Sequence, residues 1–261
     1  MIVRERTNDF VMIEQHHHAL LSGQFARQWG DDFFEGFSKK ADVLWAVSEH
    51  DRAWIDLDAY PLWNDAVNAP FSFIDLPSAL KLPHYKQGID YLERENAYAA
   101  FLCSMHYASF FAESTNPAEL VYRSFELDRQ QRLRNQLPDV TVKEWNFHFS
   151  MLKFLDQLSL YVCFNEPGVA KEDEISMYRD GFVKSEHFSF ASGKSVVAYW
   201  MDKRRIGLTA FPFKGEFEVS VSLRIVNKSV IQQHGLAEAY KKASPLERTV
   251  QIESTVVESL S

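Results

Sequence analysis

The sequence predicts a mainly α-helical chain with a small antiparallel β-sheet gathered from its two ends, α+β overall. Three observations lead there. Four segments place apolar side chains at steps of three and four, the spacing of one face of a 3.6-residue spiral. Residues 1–14 read as a strand hairpin, and after Pro167 the pattern turns to period-two alternation. With 261 residues, 46% hydrophobic and 25% charged, the chain has enough apolar material for a globular core. Residues 1–165 are expected to form the helical body with the hairpin, and residues 166–261 a β-rich subdomain packed on it as one unit.

Residues 2–5 and 10–13 are the two short strands, broken at Thr7-Asn8-Asp9. The helix predicted over 16–29 sets His18, Ser22, Phe25 and Trp29 at steps of four, three and four, so His18 points where the apolar residues point. A second helix, 39–51, repeats the pattern with Val43, Val47 and His50, and Asp51 stands beside His50. Residues 56–83 hold Pro61, Pro70, Pro77 and Pro83 with Trp63, Phe71 and Phe73. They read as a long irregular segment with room for one short helix, and are expected to wall or cover a pocket because they follow the His-Asp pair directly. His84 lies just after Pro83, at a helix start.

The helix over 97–112 carries Leu102, His106, Ser109 and Phe110 on one face, and 142–164 aligns Trp145, Phe149, Leu152, Asp156, Ser159 and Cys163. Between them, 117–137 interleaves Arg123, Arg129, Arg132 and Arg134 with acidic residues and glutamines, the composition of a solvated face. Further strands are predicted over 195–200, 206–211, 216–225 and 249–257, with a turn at Gly215 and a short helix over 232–242.

A net charge of −8 argues against a protein that works on nucleic-acid phosphate. No apolar run reaches the roughly 20 residues of a membrane span and no secretory leader is evident, so a cytoplasmic protein is expected. Cys103 and Cys163 fall on apolar helix faces and read as buried thiols of a reducing compartment.

The chemistry lies in the inward polar residues. A carboxylate such as Asp156 among Trp, Phe and Leu is costly to bury unless a cation or a strong hydrogen-bond partner compensates it. Neutral imidazole and ionised carboxylate together suit Mn, Fe, Zn and Ni, and through oxygen Mg. In chain order the candidates are His18, His50-Asp51, His106 and Asp156, one or two from each of four helices, the pattern of ligands that meet in a helical core.

The order His, His-Asp, Asp resembles the HD superfamily of metal-dependent phosphohydrolases, and Leu152-Lys153-Phe154-Leu155-Asp156-Gln157-Leu158-Ser159 resembles its last motif. More closely, the stretches 15–23, 46–54 and 99–106 resemble an uncharacterised bacterial family of about this length. The superfamily resemblance implies an HD-type bundle with His18, His50, Asp51 and Asp156 on one metal. In two-metal members two further histidines stand between the pair and the last Asp, and His84 and His106 occupy that order here. His16 is a reserve for the first ligand. The expected activity is hydrolysis of a phosphorylated small molecule by a metal-activated water, with Asp51 orienting that water and Lys153 and His148 reaching the substrate. A di-iron oxygenase and a non-catalytic, metal-stabilised binding module are the two alternatives. The expected partner is a small anionic substrate, with neither nucleic acid nor membrane involved.

Overall fold

The computed structural model of the protein describes residues 1–137 and 139–255. Strands β1 (Ile2–Glu5) and β2 (Asp9–Ile13) open the chain and lead into helices α1 (Gln15–Gln28), α2 (Lys40–Glu49) and the short α3 (Ile55–Ala59). A two-stranded hairpin, β3 (Trp63–Asn64) and β4 (Ala69–Pro70), precedes α4 (Ser78–Glu95), α5 (Ala97–Ser109), α6 (Pro117–Asn135), α7 (Val142–Phe164) and α8 (Ser176–Arg179). Strands β5 (Ala198–Trp200), β6 (Arg205–Leu208) and β7 (Phe217–Asn227) follow, then α9 (Lys228–His234), α10 (Leu236–Lys242) and β8 (Pro245–Ser254).

The expectation of a mainly helical HD-type bundle with a small antiparallel sheet is overturned. Six strands form one mixed sheet in the order β1-β2-β7-β8-β6-β5, and β6 runs parallel to β8. Two of its strands are long. β7 pairs along β8 from Phe217–Ile252 to Arg224–Pro245, and then continues along β2 from Arg224–Met12 to Asn227–Asp9.

The sheet is a layer of the core. Alternation along β2 and β7 divides the side chains between its faces. Val11, Ile13, Val219, Val221 and Leu223 join the large core with α1 and α7, whereas Phe10, Met12 and Val226 face a second cluster with Ile231, Leu236 and Tyr240 of α9 and α10. α1 is tied to the sheet by Gln24, whose amide donates to the Ser220 carbonyl and whose side-chain oxygen accepts from the Ser220 N–H. An aromatic cluster around the buried Trp29, with Phe147, Phe154, Phe188, Phe190 and Phe213, joins the end of α1 to α7 and to the segments before and after β5 and β6.

Other boundaries shift for local reasons. α4 begins at Ser78, so Pro83 lies within the helix, where the Ala79 carbonyl loses one helical partner. The helix predicted over 232–242 is two helices, parted at Gly235, whose φ of +78° belongs to the left-handed region that glycine adopts without strain. Of the strand predicted over 249–257, the last two residues lie outside the described residues; β8 itself begins four residues earlier, at Pro245. No helix among the described residues is long and apolar enough to cross a membrane.

Gly23 sets how closely α1 lies on α2. A Cβ there would stand 2.0 Å from Ser48 Oγ and 3.2 Å from Ser48 Cα. Gly23→Ala is therefore expected to cost about 1–3 kcal/mol by overpacking, and to lower the melting temperature by roughly 3–10 °C. Thermal unfolding followed by circular dichroism checks this. An unchanged midpoint would mean that α2 yields without cost.

Candidate metal centre

Four helical segments build the centre. α1 brings His18 in its second turn, the end of α2 brings His50 and Asp51, α5 brings His106, and α7 brings Asp156 from its middle. α7 owes its start to a capping box in which Thr141 accepts from the Glu144 N–H and the Glu144 carboxylate accepts from the Thr141 N–H. These helices pack on one another, and their apolar neighbours Leu21, Val47, Leu102, Leu155 and Leu158 are fully buried.

The ligand atoms converge. His18 Nε2 lies 2.9 Å from Asp51 Oδ2 and 3.9 Å from Asp156 Oδ1, His50 Nε2 lies 3.4 Å from Asp156 Oδ1, and His106 Nε2 lies 3.9 Å from Asp156 Oδ2. The His50 ring meets those of His18 and His106 edge to face, each at 5.0 Å. Two triads, His18-His50-Asp51 and His50-His106-Asp156, could each hold a metal ion. All five residues are buried except Asp156, whose side chain is 13% exposed and opens toward a cavity.

Hydrogen bonds on the far side of two rings fix which nitrogens face inward. Ser159 gives its hydroxyl proton to the Asp156 carbonyl at 2.8 Å, so it accepts from His18 Nδ1–H at 2.7 Å. Ser22 supports it, 2.9 Å from the Ser159 hydroxyl. His50 Nδ1–H donates to the Val47 carbonyl at 2.8 Å. Both rings then present an Nε2 lone pair to the carboxylates, and His50 Nε2 is a buried atom with no hydrogen-bond partner. A lone pair facing a carboxylate is repulsive unless a proton or a cation lies between them.

The electrostatics agree. Burial alone would push the His50 imidazole down, but Asp156 and Asp51 carry it up to about 9. Burial would raise both carboxyls. His18 and His50 hold Asp51 well below the usual carboxylate range, and His50 and His106 hold Asp156 low. Burial outweighs the carboxylates at His106 and pushes it down to about 4, which leaves that ring neutral and free to ligate.

The donor set fits a metal. Ligands of one ion at about 2.1 Å stand at most about 4.2 Å apart, and the four distances above fall within that span. His50 offers one lone pair, its other nitrogen being committed to Val47, so both triads cannot hold an ion through it at once. The geometry thus suits one divalent cation at a time, held in either triad, with His50 common to both.

The other sequence candidates lie elsewhere. His148 is buried in a structural bridge, 2.6 Å from the Tyr98 hydroxyl and donating to the Glu35 carbonyl at 2.7 Å. His84 is half-buried on α4 and belongs to neither triad. Half-buried His16 faces Glu49 and Arg52. Lys153 extends over the Phe149 ring, 5.6 Å from its centroid, with its ammonium lowered first by burial and then by Lys184. Cys103 and Cys163 are both free and buried.

A cavity of about 590 Å³ opens onto His18, Asp51, His106 and Asp156, and Gln15 and Lys81 are among the lining residues that the sequence does not single out. Gln15 donates to Asp51 Oδ2 at 3.0 Å and orients that carboxylate. Lys81 lines the cavity wall from the first turns of α4. Reading Ser78 as the helix start would have put Lys81 and Tyr85 four apart on one face.

Fold and site together define an α+β protein whose buried His/Asp groups, at the foot of a pocket, could hold a metal ion. The chain belongs to the family described as a protein of unknown function, DUF3891, whose model matches residues 1–228. All five residues of these groups lie within that match. Neither a curated protein nor a solved structure matches the chain.

Proposed function

We propose that the protein is a metal-dependent hydrolase acting on a phosphorylated small molecule. The observation that carries this reading is the convergence of three imidazoles and two carboxylates, with His50 Nε2 buried and unpartnered among them, at the bottom of an open cavity. The ligand order resembles that of the HD superfamily, and this likeness is part of the proposal for the ligands alone. Three nitrogen donors favour Mn, Fe, Zn or Ni over Mg. A divalent ion there supplies Lewis acidity and a water acidic enough to attack phosphorus near neutral pH.

The chain does the rest. Ser159 and Val47 turn the Nε2 atoms of His18 and His50 inward, His106 brings its Nε2 to 3.9 Å from Asp156, and Gln15 keeps one oxygen of Asp51 in place. The more exposed Asp156 is the carboxylate that can accept the proton of an attacking water at the cavity floor. Two carboxylates against one divalent ion leave the centre near neutral, so an anionic group need not be repelled.

Elemental mass spectrometry of protein purified without a tag or added metal, followed by a screen of phosphate monoesters and diesters, tests the proposal. About one equivalent of Mn, Zn, Fe or Ni with ester turnover is the expected result. Two equivalents of iron without turnover would move the reading to an oxygenase. A folded protein that takes up no metal when Mn, Fe or Zn is supplied would sink it and leave the binding-module alternative.

Metal affinity should depend on pH with a definite sign. In metal-stripped protein His50 keeps its proton up to about 9, so a cation must displace it. That proton contributes stability below the ordinary imidazole value of about 6.5, which is lost as pH rises through about 9. Affinity for Zn or Mn should accordingly fall by roughly tenfold per pH unit below 9, one proton being displaced. Chelator competition at three pH values measures it, and a flat profile would show that no proton leaves.

A further inference from the structure

We infer that the pocket selects a substrate whose phosphate is attached to an apolar body, with Lys81, which lines the same cavity as His18, Asp51, His106 and Asp156, as the residue that binds the phosphate. The inference rests on the hydrolase reading for the reaction and on the cavity alone for the substrate class. Beyond the metal ligands, the cavity is lined mainly by Phe73, Ile74, Phe110, Phe111, Leu160 and Met177. Ile74, Phe110 and Met177 are large apolar side chains at least half exposed, brought to the same opening by the segment before α4, the end of α5 and α8. Exposed apolar side chains converging on a cavity mark an apolar ligand.

Few polar groups of the lining are free, the buried Gln15 side-chain oxygen, which has no partner among the described residues, being one of them. Gln15 gives its amide to Asp51, and Glu119 accepts from the hydroxyls of Ser78 and Ser114. The Tyr85 ring is buried and stacked on Tyr107, with centroids 4.2 Å apart. A sugar or a nucleobase would bring hydroxyls and ring nitrogens against phenylalanine, isoleucine and methionine, where they would go unpaired. An aryl or alkyl group would lose nothing there.

Lys81 is the one cation of the lining among the described residues. Its ammonium has three donors and makes one long hydrogen bond, 3.3 Å, to the Phe73 carbonyl. It is half-buried, and burial outweighs Glu119 and Asp75 in lowering its pKa. A phosphate oxygen supplies the hydrogen-bond acceptors it lacks.

The test uses metal-loaded full-length protein with phenylphosphonate, which cannot be hydrolysed, and with methylphosphonate, inorganic phosphate and glucose 6-phosphate as comparisons, measured by calorimetry. Phenylphosphonate should bind at least tenfold more tightly than any of the three. Phe110→Ser should remove most of that preference. Lys81→Met should weaken all four ligands by tenfold or more at unchanged metal content, and Lys81→Arg should restore most of the loss. Equal affinity for phenylphosphonate and phosphate, or tighter binding of glucose 6-phosphate, would overturn the apolar body. Unchanged affinities in folded, metal-loaded Lys81→Met would overturn the role of Lys81. If phenylphosphonate binds as expected while phenyl and hexyl phosphate are not turned over, the substrate class stands and the hydrolase reading fails.

Discussion

Asp51→Ala is expected to leave a folded chain that retains less than about a tenth of the wild-type bound metal and loses ester turnover by at least about 10³-fold, the scale on which a metal-activated nucleophile operates. Asp51 receives Gln15 at 3.0 Å and stands 2.9 Å from His18 Nε2, so its removal takes away one of the two negative charges that hold a cation and frees two neighbours. Asp51→Asn keeps the shape and loses the charge, and should behave almost alike. His148→Gln is the control, because its partners are Tyr98 and Glu35 and its loss should leave metal content unchanged. Elemental analysis of the three variants beside the wild type decides the matter. Full metal occupancy in Asp51→Ala would remove Asp51 from the ligand set.

Arg129→Met should produce the largest loss of stability. Its guanidinium is 3% exposed and lies 2.5 Å from Asp90, 2.8 Å from Glu93 and 3.0 Å from Glu126, which is itself fully buried. Removing the cation strands Glu126 beneath α4, α5 and α6, and breaking a buried pair in this way costs about 3–5 kcal/mol. The melting temperature should fall by roughly 6–20 °C. The pH dependence has a sign. Burial already raises the Glu126 carboxyl above its ordinary value, and without Arg129 it rises further. A carboxyl raised in the folded state contributes stability at low pH that is lost as pH rises through its folded value. The deficit of Arg129→Met should therefore shrink on acidification, and Glu126→Gln in the same chain should recover part of it at neutral pH. Melting curves at pH 5 and pH 8 measure both, and an equal deficit at the two would mean that Glu126 is not the stranded charge.

The same residue shows where sequence periodicity misleads. Arg123, Arg129, Arg132 and Arg134 read as one solvated face, but Arg129 turns into the α4–α6 contact because Asp90 and Glu93, 36 to 39 residues away in sequence, neutralise it. No local pattern contains that pairing. The helices bearing His18, His50, His106 and Asp156 were legible, since each polar residue interrupts an apolar stripe, and such a stripe has an inside. The extent and mixed character of the sheet were not. β6 and β8 lie some forty residues apart and run parallel, and a period-two pattern reports a strand without reporting its neighbours. Lys81 was lost because four prolines disguised the start of α4.

The pairing of β2 with β7 has a kinetic consequence. All five residues of the candidate metal centre lie before Phe164, yet the floor on which α1 sits, Ser220 and its strand, comes more than fifty residues after that point. During synthesis the ligand helices emerge first and must wait for the strand that fixes their first member. Closing Asp9 onto Asn227 joins positions near opposite ends of the chain, the kind of contact that is slow to form because loop entropy is lost before any contact repays it. A cation that gathers the histidines early would shorten that search, so metal supply would act on how fast this protein folds as well as on what the finished molecule does.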